Sequence, residues 1–207
     1  MKKKILALTL VFALALALGI GGTVAWLTAQ TSPVVNTFTV GDINITLAET
    51  GTTNNAKNYT FVPGDTLAKD PKVTVTAGSE DCYLFVKVEE ANNTATGLTG
   101  KVINWSVDAG TDPASTWVPV PEHDGYWYRT VPAVAANTTE ENLPSFDVLK
   151  DNQVTVNEKV TKDMVTGLTA KKPTIAVTAA AVQKDNVNTV ADAWDKLPNT
   201  FTGKVTP

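Results

Sequence analysis

Beyond residue 36, apolar side chains recur at every second position, the period of a half-buried strand. Phe38 and Val40 are followed by Ile43, Ile45 and Leu47, and the parity switches at Gly41-Asp42. That switch predicts a bulge or tight bend between two strand pieces. Residues 72–77 (KVTVTA) and 82–88 (CYLFVKV) read as strands on either side of the Gly78-Ser79-Glu80-Asp81 turn, and residues 101–107 (KVINWSV) as another. Residues 116–120 and 126–131 flank the polar stretch Pro121-Glu122-His123-Asp124-Gly125 and predict a hairpin. Residues 153–160 and 174–182 complete the set, rich in Val and Thr. Only one helix is expected. Asn188 or Thr189 caps it, Val190, Trp194 and Leu197 line one face, and Pro198 stops it. A short turn is expected over residues 138–142, and residues 198–207 read as a tail. Many short strands with turn signals between them and one short C-terminal helix predict an all-β, antiparallel β-sandwich.

The N-terminus breaks this pattern. Lys2, Lys3 and Lys4 precede an apolar run from Ile5 to Leu18, interrupted only by Thr9, then Gly19, Gly21 and Gly22 and the tripeptide Thr23-Val24-Ala25. A basic stretch, an apolar stretch and small residues before a cut have the layout of a secretory signal peptide. Thr23 and Ala25 place small side chains where the peptidase pocket needs them, so the mature chain is expected to start at Trp26 and to be exported. Uncleaved, residues 5–27 are long enough to anchor the precursor in a membrane.

Removing residues 1–25 takes away three lysines and no acid, leaving 182 residues with 14 basic and 21 acidic side chains, a net charge of −7. That is enough chain for one domain with its own core. The scattered negative charge argues against nucleic acid as a partner, which needs a positive footprint. The single cysteine, Cys82, cannot staple the domain; it alternates with Leu84, Val86 and Val88 and reads as a small buried hydrophobe.

Candidate chemistry is sparse. The one histidine, His123, reads as an exposed turn residue. A zinc site of the His-Glu-x-x-His type needs two histidines, and the acid pairs Glu80-Asp81, Glu89-Glu90 and Glu140-Glu141 lack calcium-loop spacing. No catalytic, metal or cofactor residue is assigned. Trp105, Trp117, Tyr126, Trp127 and Tyr128 could stack on a sugar, but alternation puts Tyr126 and Tyr128 on one strand face and Trp127 on the other, which favours core packing on one side.

Several segments in order resemble the TasA/camelysin family of exported Gram-positive proteins. They are residues 21–27 (GGTVAWL), residues 36–45 (NTFTVGDINI), Pro63-Gly64-Asp65 followed by Lys69 and Val73, residues 124–128 (DGYWY), and residues 175–183 ending later in Ala193-Trp194. The resemblance implies a jelly-roll-like sandwich and processing by a dedicated signal peptidase of the SipW type. It also implies assembly into biofilm-matrix fibres, with copies of itself or with related matrix proteins. In such fibres the N-terminal segment of one subunit completes the sheet of the next.

After cleavage, residues 26–40 form a segment whose apolar side chains Val34, Val35, Phe38 and Val40 need a sheet edge. This makes residues 26–40 a candidate donor strand; the competing expectation is pairing within its own sheet. Two other functions stay open at this stage. A camelysin-type surface metallopeptidase is disfavoured by the lone His123, and a monomeric surface binding module would use the Trp127 face.

Overall fold

The computed structural model describes residues 42–53, 56–60, 62–167 and 172–204. The regular structure of the described residues is mostly β-strand, and every strand-to-strand ladder is antiparallel. A three-stranded sheet has the order β1 (Ile45–Ala48), β3 (Lys72–Val75), β8 (Ser145–Asp147). A four-stranded sheet runs β10 (Thr174–Gln183), β4 (Cys82–Ala91), β7 (Tyr126–Val131), β6 (Val118–Pro119). A smaller third sheet joins β2 (Thr66–Ala68), β9 (Gln153–Val156) and β5 (Ile103–Asn104). Short helices follow: α1 (Lys162–Gly167), α2 (Val190–Lys196) and α3 (Asn199–Thr202).

Strand β4 organises the packing because both of its faces are buried. Cys82, Leu84, Val86 and Val88 point into one core with Val73 and Val75 of β3, Val131 and Trp117. The intervening Tyr83 and Phe85 enter a second core, roofed by Ala193, Trp194, Leu197 and Phe201 of the C-terminal helices. The near-continuous apolar run of β4 is therefore the signature of a strand covered on two sides. Each fully buried Leu, Val or Phe contributes roughly 1.5–3 kcal/mol. A third cluster, Val102, Ile103, Leu149, Val154, Val156 and Val160, fills the small sheet.

The expected hairpin is present, with Val118 opposite Tyr128 and Pro119 opposite Trp127. Gly125 turns it at φ +82, a left-handed conformation that costs glycine nothing, and its carbonyl accepts the Val88 N–H at 3.0 Å. The Gly78–Asp81 turn does not close a hairpin. It carries the chain from β3 into a different sheet, where β4 begins. Of the strand expected over residues 101–107 only Ile103–Asn104 joins a ladder, while Val107 forms a lone bridge with Leu149. Strands β2 and β8, three residues each, are too short for a visible period.

Helix α2 forms as the pattern predicts. Thr189 caps it, its hydroxyl oxygen accepting the Asp192 N–H at 3.1 Å. Residues 198–204 differ from the expected tail. Residues 199–202 form α3, Phe201 is buried, and the Tyr126 hydroxyl lies 3.2 Å from the carbonyls of Phe201 and Thr202. An aromatic side chain four residues past Leu197 anchors what lacked any periodic signal.

Candidate assembly edge

Strand β10 pairs with β4 along ten residues, from Thr174 opposite Ala91 to Gln183 opposite Cys82. Its other edge is hydrogen-bonded to no described strand, although β1 lies close to β10. The residues of β10 contain no charge, no proline and no glycine, and the ladder to β4 has no bulge. Edge strands are usually blunted by shortness, charge, proline or a bulge. The other sheet ends are short: β5 and β6 have two residues each, β2 and β8 three, and β1 four, and β6 contains Pro119. β10 is the one long, unblunted edge among the described strands.

Its side chains carry a second signal. Ile175, Val177, Ala179 and Ala181 pack against the first core, and Ala180 and Val182 against the second, yet every one is only partly buried. Among the described residues, both cores end at these partly exposed side chains of β10. A strand added along this edge would supply backbone partners and apolar cover together.

The processing residues Thr23, Ala25 and Trp26 and the donor residues Val34, Val35, Phe38 and Val40 lie outside the described residues. No described helix is long and apolar enough to cross a membrane.

The remaining sequence candidates are absorbed into packing. Cys82 is fully buried, and burial, followed by the Asp81 charge, pushes its thiol up to about 11, away from reactivity. His123 is not the exposed turn residue expected. It is half-buried and stacks on Trp194, with ring centroids 3.9 Å apart. Among the described residues no group of three or more His, Cys, Asp or Glu could hold a metal ion. Of the aromatic set, Trp117 is 1% exposed and donates its indole N–H to the Asp147 carbonyl at 2.7 Å. Tyr126 and Tyr128 border the second core, and Trp127 meets Trp105 edge to face at 6.2 Å. Both faces of β7 are thereby packed, where an aromatic surface ring was expected on one.

Glu90 anchors Trp105 from below. Its Oε2 accepts from the Trp105 indole at 2.8 Å and from Asn93 and Lys101 at 2.9 Å. Burial works against the Glu90 charge, but these donors outweigh it and hold the carboxyl below its ordinary range. The network fixes an indole and leaves no acid poised for proton transfer.

No family model, no curated protein and no solved structure matches this chain. The lack of charge in β10 is visible in the sequence: residues 174–182 (TIAVTAAAV) are the only long predicted strand with neither charge nor proline. Which strand would stand at the end of a sheet is a matter of topology, and no local pattern reports it.

Proposed function

We propose that this protein is an exported structural subunit, a main or accessory component of extracellular matrix fibres, assembling by strand donation. In this reading the chain has a jelly-roll-like sandwich fold of the TasA/camelysin type. Cleavage by a dedicated signal peptidase at Ala25 releases residues 26–40, which add to the β10 edge of a neighbouring copy or a related matrix protein. The single observation that carries the proposal is the ten-residue, charge-free edge of β10 with both cores half-open beside it. Each added ladder hydrogen bond contributes a net of roughly 0.5–1.5 kcal/mol. Phe38 and Val40 alternate with Thr37 and Thr39, so one face of the incoming strand can cover apolar side chains while the other stays polar.

Two variants of the mature chain test this by electron microscopy and thermal melts. Phe38→Asp with Val40→Asp puts two charges into an apolar groove at a cost of several kcal/mol. Ala176→Lys places a charge on the acceptor strand at an exposed position, where it leaves the monomer's cores untouched. Both variants should stay folded and lose concentration-dependent filaments. Loss of folding in the double variant would show that residues 38–40 belong to their own sheet, and wild-type filaments from both variants would end the strand-donation reading.

A further inference from the structure

Strand β10 is complementary to itself. None of its ten residues is charged, and larger and smaller side chains are arranged about Ala179. A two-fold axis through Ala179 pairs two such strands antiparallel and sets Ala179 of one copy against Ala179 of the other. Val177 then meets Ala181, Thr178 meets Ala180 and Val182 meets Ala176, so each larger side chain faces an alanine. An axis along the sheet normal reverses strand direction and keeps each face on its own side. Val177, Ala179 and Ala181, which border the first core, therefore share one face of the joined sheet, and Ala180 and Val182, which border the second, share the other.

The charges that flank the strand fit the same register. Lys172 precedes it and Asp185 follows it, both exposed. In the antiparallel pair Lys172 comes opposite Asn186 of the second copy, beside that copy's Asp185, so opposite charges approach at both ends. A parallel, in-register pair would set Lys172 against Lys172 and Asp185 against Asp185. The Lys184 ammonium lies 5.8 Å from the Tyr83 ring centroid of its own chain, and its backbone comes opposite the uncharged Thr174. Strand β1 is close to β10 but shares no ladder with it. Ile45 of β1 and Val177 of β10 pack against the same core, so the two strands meet across that core and the outer backbone of β10 remains without a described partner. We propose that two copies of this chain join edge to edge through β10, antiparallel and centred on Ala179. The joined sheet then runs β6-β7-β4-β10 in one copy and β10-β4-β7-β6 in the next. This pairing uses described residues alone and does not rest on strand donation. Both would occupy one edge, so a copy held in the pair accepts no incoming strand until the pair opens.

Sedimentation and electron spin resonance of the mature protein test the pairing. At sub-millimolar concentration a species of twice the monomer mass should form. A spin label on Thr174→Cys should lie about 34 Å from its equivalent, ten positions away along the paired strands, whereas labels on Thr178→Cys should lie about 8 Å apart. Both positions are exposed, and the fully buried Cys82 takes no label in the folded chain. Thr178→Lys sets two lysines beside the axis and should give monomers, while Thr178→Val should keep the dimer. Phe38→Asp with Val40→Asp blocks strand donation and should also keep the dimer, so the two readings fail separately. A mature chain that sediments only as a monomer, equal label separations at the two sites, dimers retained in Thr178→Lys, or dimers lost from a folded Phe38→Asp/Val40→Asp chain would each overturn the proposal. The mass of the mature chain needs no variant, so it decides even if a variant fails to fold.

Discussion

His123 and Trp194 stack face to face, with ring centroids 3.9 Å apart and planes 18° from parallel. The contact ties the β6–β7 turn to helix α2 across the second core. Lys204 lies 5.8 Å from the centroid of the same indole and bridges to Asp195 at 2.9 Å, while Tyr126 meets it edge-on at 4.8 Å. Trp194 is thus the point at which hairpin, helices and C-terminal residues converge. Its own indole N–H is enclosed without an acceptor, so ring contacts must hold it.

His123→Ala should therefore destabilise the protein by about 1 kcal/mol, the usual worth of an aromatic pair beyond its buried area. The tryptophan emission should shift to the red as water reaches Trp194. Urea melts followed by fluorescence measure both. A variant as stable as the parent, with unchanged emission, would show that the stack contributes nothing.

Cys82 predicts an alkaline limit to stability. Its thiol is raised from 9.0 to about 11 by burial. A raised folded-state pKa leaves stability intact below the unfolded value and removes it as pH climbs through the folded one. The loss should run from about pH 9 to about pH 11 and reach roughly 2–3 kcal/mol. Cys82→Val should flatten that part of the curve relative to the parent in urea melts. The same burial means that a thiol reagent should label Cys82 only on unfolding.

Glu49 and Lys69 form a nearly buried ion pair, Nζ to Oε2 2.9 Å, with side chains 14% and 10% exposed. The Tyr59 hydroxyl lies 2.9 Å from the other Glu49 oxygen, and burial, then that carboxylate, raises its pKa well above the ordinary phenol value. Lys69→Met alone should cost about 3 kcal/mol, because it strands the Glu49 charge. Adding Glu49→Leu should restore most of the loss. A double variant no more stable than Lys69→Met would refute this account of the pair.

Processing gives a prediction outside the described residues. Ala25→Phe fills the position that calls for a small side chain before the cut, so a membrane-held precursor should accumulate. N-terminal sequencing of the parent secreted protein should begin at Trp26, and any other start would move the assigned site.

The sequence by itself determined the class of fold and most of the strands. Period-two alternation is written into residues such as Cys82, Leu84, Val86 and Val88, because successive side chains of a strand face opposite ways. It also determined helix α2, whose cap Thr189 and stop Pro198 act through local backbone chemistry. Only the tertiary structure decided what each face meets. Tyr83 and Phe85 occupy the opposite face of that strand, and only the fold shows that α2 and α3 cover them. Phe201 read as part of a tail until Tyr126 and its neighbours gave it a core. His123 read as a solvated turn residue, because burial depends on residues far away in the chain. β10 acquires its meaning in the same way. Its lack of charge is visible in the sequence, but its place at the end of a sheet follows from which strands pair, a long-range property that no short window contains.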